Sequence, residues 1–522
     1  MIKSILLSQV ILLLPAIVAM GANEAPRLVE EYRKEVPKQS AQMDAAKPRS
    51  IDDMKKDDAT MEKPEPKEIP FYPKDMQKYN EMKEKAQKEG GERSSADSGA
   101  TPIPLAPPGL RGINFDGVNQ TTAGGLYPPD THGAVGRTHF VQVTNTHVDI
   151  YRKSDQLLQG SVSLNAFFGY FEQTLFDPRC IYDHLWNRFI ITAEGFPEAD
   201  GDQWHFIGIS QTSNALGAYW IYAINVGAIY GRDFWDFPQL GMTQDAIIIT
   251  AHIFGNTVRS GMMTFAKARI YNGLGVTFNI WDGLWWNLTP PIVRDSDKWA
   301  ALVCADAYAV NTGLYIYYLE NAQNPAYAFL WGPYFIDTVD FFIPPNAPQP
   351  GTTHVLHTSD ARFVNASTQI GYNLYQIHSV NFFGAACKWY QIDWWVGTAL
   401  IDNTFWASTT SSDFNASIAA NDFNDVYVTW SSTNASAGIR AQVRISGRRN
   451  FDPPAIGAGS ALFTSPVSLT GNYDARFNAQ RWGDYSAVTI DPSVANQLRA
   501  WIVNEKINAA AVWGSRIARI GF

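Results

Sequence analysis

Four turns of this sequence place acidic residues, in three cases with a nearby arginine, directly ahead of apolar runs. The residues concerned are Asp130, Asp177, Arg179, Asp360, Arg362, Arg481 and Asp484. Arginine can hold a substrate carboxylate through two parallel hydrogen bonds, and a carboxylic acid can protonate a leaving group. The alternative is structural, because aspartate accepts hydrogen bonds from turn amides and arginine pairs with it. The catalytic interpretation requires the four turns to meet at one place.

Two pairs of adjacent tryptophans stand in long aromatic stretches. They are Trp285 and Trp286 in "NIWDGLWWNLTPP", and Trp394 and Trp395 in "KWYQIDWWVGTALIDNTFW". An exposed aromatic face suits the C–H face of a sugar ring, so these residues are candidates for a glycan-stacking platform. The alternative is that they fill the interior, since large aromatic side chains are mostly buried.

Acidic residues also occur at alternate positions, as in calcium-binding loops. Asp130 stands in "PPDTHG", and Glu198, Asp200 and Asp202 stand in "EADGDQWH". Calcium prefers oxygen ligands supplied at such spacing, so these four residues are candidate calcium ligands. The remaining ligands of the helix–loop–helix calcium motif are missing, and a solvated acidic loop is the alternative.

Five N-x-S/T sequons are present, at Asn119, Asn287, Asn365, Asn415 and Asn434. They are glycosylation candidates only in a eukaryotic protein, because so short a motif often matches by chance. The three cysteines, Cys180, Cys304 and Cys387, allow at most one internal disulfide. Their apolar contexts favour buried, inert thiols.

The N-terminus is typical of a secretory signal. Lys3 precedes an apolar run from Ile5 to Val18, and small residues follow it, so residues 1–21 are predicted to be a cleaved signal peptide. No later stretch has the length of a membrane-spanning helix. We therefore expect a secreted or cell-surface protein without a transmembrane segment. The formal net charge of -9 argues against nucleic acid as a partner.

Residues 22–100 differ in composition from the rest. From residue 23 to 100, 34 of 78 residues are charged, whereas all 17 tryptophans lie at or beyond Trp186. Such a segment has too little apolar surface to offset the entropy lost on ordering. It is predicted to be a flexible linker, spacer or pro-segment.

From residue 101 to 522, short runs rich in β-branched and aromatic residues alternate with turns that contain glycine and proline. A turn bearing aspartate, an apolar strand and a second alternating strand recur about seven times. The units begin near residues 128, 176, 235, 298, 357, 410 and 480. This periodicity predicts an all-β fold, a β-propeller of about seven four-stranded blades. The blades of a propeller surround a central channel, so its radial symmetry would bring the aspartate turns together around one mouth of that channel.

The motifs "PPDTHGAVG", "DPR..YD" and "RWGDYSAVTIDP" resemble those of a group of secreted, mostly uncharacterised proteins with a sialidase-like β-propeller fold. The resemblance covers about residues 110–522 and implies a fold and secretion, but no settled reaction. A sialidase-like fold suggests glycoside hydrolysis, with arginines for the substrate carboxylate and a tyrosine nucleophile. The S-x-D-x-G-x-x-W repeats of sialidases are absent from this sequence, and no tyrosine–glutamate pair stands out.

We therefore expect an extracellular recognition module that binds a glycan or cell-surface polymer, with an extracellular protein as the next candidate partner. The sequence favours binding over catalysis, and a glycoside hydrolase or other polysaccharide-acting enzyme is the alternative. A third hypothesis is a structural subunit that self-assembles at the cell surface. A hydrolase should bring together two carboxylates with shifted pKa values at the channel mouth, whereas a glycan-binding module should expose tryptophan on one rim and have no such pair of carboxylates.

Overall fold

The computed structural model describes residues 38–71, 73, 75–91, 93, 106–305, 313–493 and 498–522. After residue 106, most of the regular structure consists of β-strands. Every helix among the described residues is too short or too polar to cross a membrane. The predicted signal peptide and the predicted boundary at residue 100 lie outside the described residues.

The N-terminal part forms two strands and two helices. They are β1 (Lys38–Met43), β2 (Lys47–Arg49), α1 (Ile51–Thr60) and α2 (Met76–Lys88). Ser50 caps α1 by accepting a hydrogen bond from the backbone N–H of Asp53, and Asp75 caps α2 in the same way. Side-chain caps therefore fix both helix starts.

The first three blades follow β3 (Gly109–Asn119). Blade 1 contains β4 (His132–Val135), β5 (His139–Val143), β6 (His147–Arg152) and β7 (Leu158–Ser163). After α3 (Leu164–Phe168), blade 2 contains β8 (Leu175–Asp183), β9 (Arg188–Gly195), β10 (Trp204–Ser210) and β11 (Tyr219–Asn225). After α4 (Val226–Ile229), blade 3 contains β12 (Phe234–Met242), β13 (Ala246–Phe254), β14 (Val258–Ala266), α5 (Lys267–Ile270) and β15 (Val276–Leu284).

The remaining blades have the same plan. Blade 4 contains a first strand divided into β16 (Leu288–Thr289) and β17 (Pro291–Val293), then β18 (Ala300–Ala305), β19 (Gly313–Glu320) and β20 (Phe329–Asp337). After β21 (Ala347–Pro348) and β22 (Val355–Leu356), blade 5 contains β23 (Ser367–Ile370), β24 (Asn373–Asn381), β25 (Ala385–Asp393) and β26 (Thr398–Phe405). Blade 6 contains β27 (Ser412–Ala420), β28 (Val426–Asn434), β29 (Ile439–Arg448) and β30 (Ser460–Thr464). After β31 (Tyr473–Asp474) and β32 (Ala479–Gln480), blade 7 contains β33 (Ala487–Ile490), β34 (Arg499–Ala509) and β35 (Val512–Gly521).

The first strands of the seven blades form a closed ring around a central channel. Each of β4, β8, β12, β17, β23, β27 and β33 contacts the next, and β33 contacts β4. The early strand β3 pairs with β35, with Phe115 opposite Ile517, and so completes blade 7 with a strand from the other end of the domain. The chain is a seven-bladed β-propeller, and the predicted all-β fold class is confirmed.

The core lies between neighbouring blades. Ile207 of blade 2, for example, belongs to the same buried cluster as Leu240 and Ile249 of blade 3. The three cysteines are buried and form no disulfide in the described part of the chain, as their apolar contexts predict. The stretch "ALVCA" belongs to β18, the second strand of blade 4, which pairs with the short β16.

The described residues between 38 and 93, which we call the strap, differ from the flexible linker predicted from composition. β1 pairs with β15 as a fifth strand of blade 3, and β2 pairs with β11 as a fifth strand of blade 2. The buried apolar residues of the strap are Ile51, Met54, Ile69, Phe71, Tyr79 and Ala86. Most of its charged side chains remain at the surface. The propeller, rather than the strap itself, supplies the apolar surface that orders this segment.

Candidate functional site

The chain enters the first strand of every blade on the same face of the propeller, which we call the upper face. Asp177, Phe237 and Asn415 have positive φ angles of 49°, 56° and 51°, and they lie at register shifts of β8, β12 and β27. Aspartate and asparagine tolerate this region better than most residues. Two residues further on, Arg179 and Ser417 line the channel. These turns are therefore bulges that redirect the following side chains inward.

Arg481 and Asp484 form a bidentate ion pair at the centre of the upper face. The Nη1 and Nη2 atoms of Arg481 donate to the carboxylate of Asp484 at 3.0 and 2.8 Å. The backbone N–H of Asp484 donates to Oδ1 of Asp130 at 2.6 Å, and the Asn145 amide donates to Oδ2 of Asp130 at 2.5 Å. This network joins the start of blade 7 to blade 1.

Arg362 and Asp360 form a second bidentate pair, with both hydrogen bonds at 2.8 Å. The guanidinium of Arg362 lies 4.8 Å from the ring centre of Phe237 below it and 4.7 Å from that of Phe71 in the strap. Phe71 also lies 5.1 Å from the guanidinium of Arg481. The strap thus covers both ion pairs with one aromatic ring.

Arg179 occupies the centre of the ring. Its Nε and Nη1 atoms donate to the backbone oxygens of Pro238 and Val364 at 2.8 and 2.9 Å. Its guanidinium lies 3.3 Å from the ring centre of Tyr485, whose hydroxyl donates to Asp177. Blades 2, 3, 5 and 7 therefore meet at this side chain.

All seven candidate catalytic residues lie in this network and are buried. Their meeting follows from the radial symmetry that the repeat predicts. Arg362 and Arg481 are each paired with a neighbouring carboxylate, as the structural interpretation requires. A catalytic role for any of the seven stays a prediction.

Further buried acids surround these residues. Burial and the nearby Asp484 raise the pKa of Asp130 to about 7. Burial also raises the pKa of Asp236 to about 7, and those of Asp177, Glu194 and Glu505 well above their ordinary values. The predicted signature of a hydrolase, carboxylates with shifted pKa values near the channel mouth, is therefore found, although under the strap.

Sequence reasoning missed Glu194, His252 and Glu505. Glu194 and His252 lie near the ends of the second strands of blades 2 and 3, whereas Glu505 lies within the longer second strand of blade 7. Glu194 ends "ITAE" of β9, and His252 ends "ITAH" of β13, so the two residues occupy the same place in successive blades. An alignment of the second strands of blades 2 and 3 would have placed Glu194 and His252 at equivalent positions.

Asp149 in β6 should make the stability of the protein depend on pH. Burial raises the pKa of its carboxyl from 3.8 to about 7, although Ser161 donates a hydrogen bond to it. The stabilising contribution of the protonated form is complete below about pH 4 and is lost as pH rises through about 7. The free energy of unfolding falls by about 4 kcal/mol over this range. In Asp149→Asn this part of the decline should disappear in urea denaturation between about pH 4 and 7. Asp52→Asn, an exposed control on α1, should retain it, and an unchanged slope in Asp149→Asn would contradict the prediction.

The tryptophan pairs are divided between the interior and the surface. Trp286 and Trp394 are buried, so the predicted stacking role is wrong for both. Trp395 is half-buried. Trp285 is 38% exposed, and its ring lies 4.3 Å from that of Tyr315.

Trp285 belongs to a row of three aromatic side chains on blade 4. Tyr315 lies opposite Phe335 on the neighbouring strand, with 5.5 Å between their ring centres, and Phe335 is 51% exposed. We call Trp285, Tyr315 and Phe335 the aromatic platform. Trp285 and Phe335 are exposed and Tyr315 between them is half-buried, so the platform is a candidate interaction site.

The predicted calcium loop has other partners. Glu198 accepts hydrogen bonds from Tyr170 and Trp204, and Asp202 pairs with Arg232 at 3.2 Å. Asp200 accepts a hydrogen bond from the backbone of Asp202. The only group of three potential ligands that converges among the described residues is Asp177, Glu194 and Asp236. The arrangement at 198–202 is that of a solvated acidic loop.

Four of the five sequons lie inside the fold. Asn287, Asn365, Asn415 and Asn434 are buried. Three of these motifs, at residues 287, 365 and 415, occur where the chain enters a first strand, and Asn415 donates to the backbone oxygen of Gly483 at 3.0 Å. A glycan has no room at these positions in the folded chain, whereas Asn119 is partly exposed.

Comparisons with known proteins add little beyond the fold. No family model and no curated protein matches the chain. Among solved structures, the β-propeller domain of the Trilobed protease from Pyrococcus furiosus is 8% identical, covers 72% of this chain and 91% of that one, and has a TM-score of 0.35. Trypanosoma rangeli sialidase is 10% identical over 70% of this chain and 56% of that one, with a TM-score of 0.34. Exo-beta-1,3-galactanase from Phanerochaete chrysosporium is 10% identical over 79% and 96%, with a TM-score of 0.32. These scores are low, so the fold assignment rests on strand order and ring closure.

Proposed function

We propose that the chain is a secreted recognition module that binds a glycan or another surface polymer at the aromatic platform. The observation that carries the proposal is the row of Trp285, Tyr315 and Phe335, which stays open to solvent while other large aromatic residues such as Trp286 and Trp394 are buried. Aromatic faces suit the C–H faces of sugar rings. The apolar run after Lys3 supports secretion.

Binding is favoured over catalysis because the arginines of the upper face are already paired with carboxylates and covered by the strap. Arg362 and Arg481 are neutralised by neighbouring carboxylates, and Phe71 lies over both guanidinium groups. A substrate would have to displace the strap before it reached them. The platform needs no such rearrangement.

The test is a glycan array with the full secreted chain, followed by titration of the hits. Loss of the stacking ring in Trp285→Ala should weaken binding about tenfold. Trp186→Ala is the matched control, because Trp186 is 47% exposed in the turn between β8 and β9, on the opposite face. Equal losses in both variants, or no glycan bound by the wild type, would overturn the proposal and favour a protein partner or self-assembly.

Glycoside hydrolysis is a second candidate function, and a specific contact favours it. The hydroxyl of Tyr485 donates to Asp177 beside Arg179, and tyrosine is a known type of nucleophile in glycoside hydrolysis. Burial raises the pKa of both groups, so Asp177 can accept the tyrosine proton only after the site is opened to solvent. In this hypothesis the strap must leave the upper face first. Release of reducing sugar by Phe71→Ala, abolished by adding Tyr485→Phe, would support it, and no release from any array hit would count against it.

A further inference from the structure

Three carboxylates from two blades converge beneath the upper face, outside the aromatic platform. Asp177 lies on β8, Glu194 on the neighbouring β9 and Asp236 on β12 of the next blade. One oxygen of each lies within 4.8 Å of one oxygen of the others. Oxygen ligands at about 2.4 Å from a shared ion lie no more than about 4.8 Å apart, so the spacing fits a single calcium-sized ion.

Glu194 independently indicates that a cation or a proton lies between these carboxylates. Its side chain is 0% exposed, and neither carboxylate oxygen has a hydrogen-bond donor among the described residues. It faces the carboxyl of Asp236. Two buried carboxylates can lie side by side only if they share a proton or a cation.

The described hydrogen bonds of the nearby arginines go to other groups, although Nη2 of Arg179 is buried without a hydrogen-bond partner in the described part of the chain and its charge acts on Glu194. Arg179 donates to the backbone oxygens of Pro238 and Val364 and to the side chain of Asn365, and Arg362 is held by Asp360. Tyr485 donates one hydrogen bond to Asp177. These contacts leave most of the oxygen ligands of the three carboxylates available to an ion.

We propose that Asp177, Glu194 and Asp236 form a calcium site that links blades 2 and 3. Three carboxylates offer up to six oxygen ligands in a site without exposed surface. Calcium accepts six to eight oxygens, whereas magnesium keeps several waters and usually takes one or two carboxylates. The ion would offset the mutual repulsion of three buried charges and hold β8, β9 and β12 together.

The test measures calcium content and binding with the full chain. The wild type, after dialysis against a calcium buffer, should carry one calcium per chain by elemental analysis, and millimolar calcium should raise its melting temperature above the value in EDTA. In Glu194→Gln, affinity in calorimetric titration should fall on the order of 100-fold. Glu198→Gln is the control, because Glu198 is half-buried in the loop that follows β9 and already accepts hydrogen bonds from Tyr170 and Trp204; it should bind calcium as the wild type does.

Two results separate a lost ligand from a misfolded protein. Without calcium, Glu194→Gln should melt no lower than the wild type, because the amide replaces a carboxyl whose charged form burial already disfavours, and Asp236→Asn should lose calcium in the same way. Wild-type chain that takes up no calcium, or Glu194→Gln that binds it with wild-type affinity, would overturn the proposal and leave a shared proton as the explanation. An equal response to magnesium would overturn the choice of calcium.

Discussion

Replacement of Arg481 by methionine is expected to cost about 3–5 kcal/mol of unfolding free energy. Methionine fills a similar volume but leaves Asp484 buried without its partner, next to the carboxyl of Asp130. Arg481 is 1% exposed, so water cannot replace the two lost hydrogen bonds. The loss therefore reflects an unpaired buried charge more than the strength of the pair itself.

Chemical denaturation of the full chain measures this effect. The matched control is Arg152→Met, because Arg152 pairs with Asp155 at the surface, where an ion pair contributes about 0–1 kcal/mol. Adding Asp484→Asn to Arg481→Met should recover part of the loss, since the double variant no longer buries that charge. If Arg481→Met were as stable as Arg152→Met, the ion pair would have no structural role and its assignment to the fold would be wrong.

The propeller could be predicted because the sequence features that specify it, turns and strand patterns, are local and repeat along the chain. Every unit carries a turn followed by two strands, in blades 2, 3 and 6 with a bulge at the start of the first strand, and these features recur with little dependence on distant residues. The meeting of Asp130, Asp177, Arg362 and Arg481 follows from that repetition, since equivalent positions of a radial fold lie around one axis.

The strap could not be predicted, because the residues that order it lie far away in the chain. Phe71 packs against Phe477 at 5.3 Å, and the hydroxyl of Tyr79 lies 2.5 Å from Nε2 of His357. Composition measures only the apolar surface that the segment carries, and that surface is small. It does not measure the surface that another part of the chain offers.

The division of the tryptophan pairs could not be predicted from strand alternation, because both pairs lie at turns between strands. Trp286 packs inward against His252, with 3.9 Å between ring centres, while Trp285 is 38% exposed. In a turn, the direction of each side chain depends on the local backbone angles, which the alternation of apolar and polar residues does not report.

Replacement of Phe71 by alanine is expected to release the middle of the strap from the upper face. The ring is 2% exposed and packs against Tyr79, His357 and Phe477 as well as two guanidinium groups. Truncation of a buried phenylalanine costs about 3–5 kcal/mol. The few other buried apolar residues of α2 offer little to compensate, whereas the propeller closes its own ring without the strap.

Hydrogen exchange locates the effect along the chain. A cost of about 3 kcal/mol corresponds to exchange of the α2 amides faster by on the order of 100-fold, while the amides of β8, β12 and β33 should keep their protection. Met61→Ala is the control, because Met61 follows α1 in the same strap but is 48% exposed, and it should exchange as the wild type does. If Phe71→Ala lowered protection equally in the strap and in the seven first strands, the two would unfold as one unit. The upper face could then not be uncovered by local release of the strap, and hydrolysis at Tyr485 would lose its route of access.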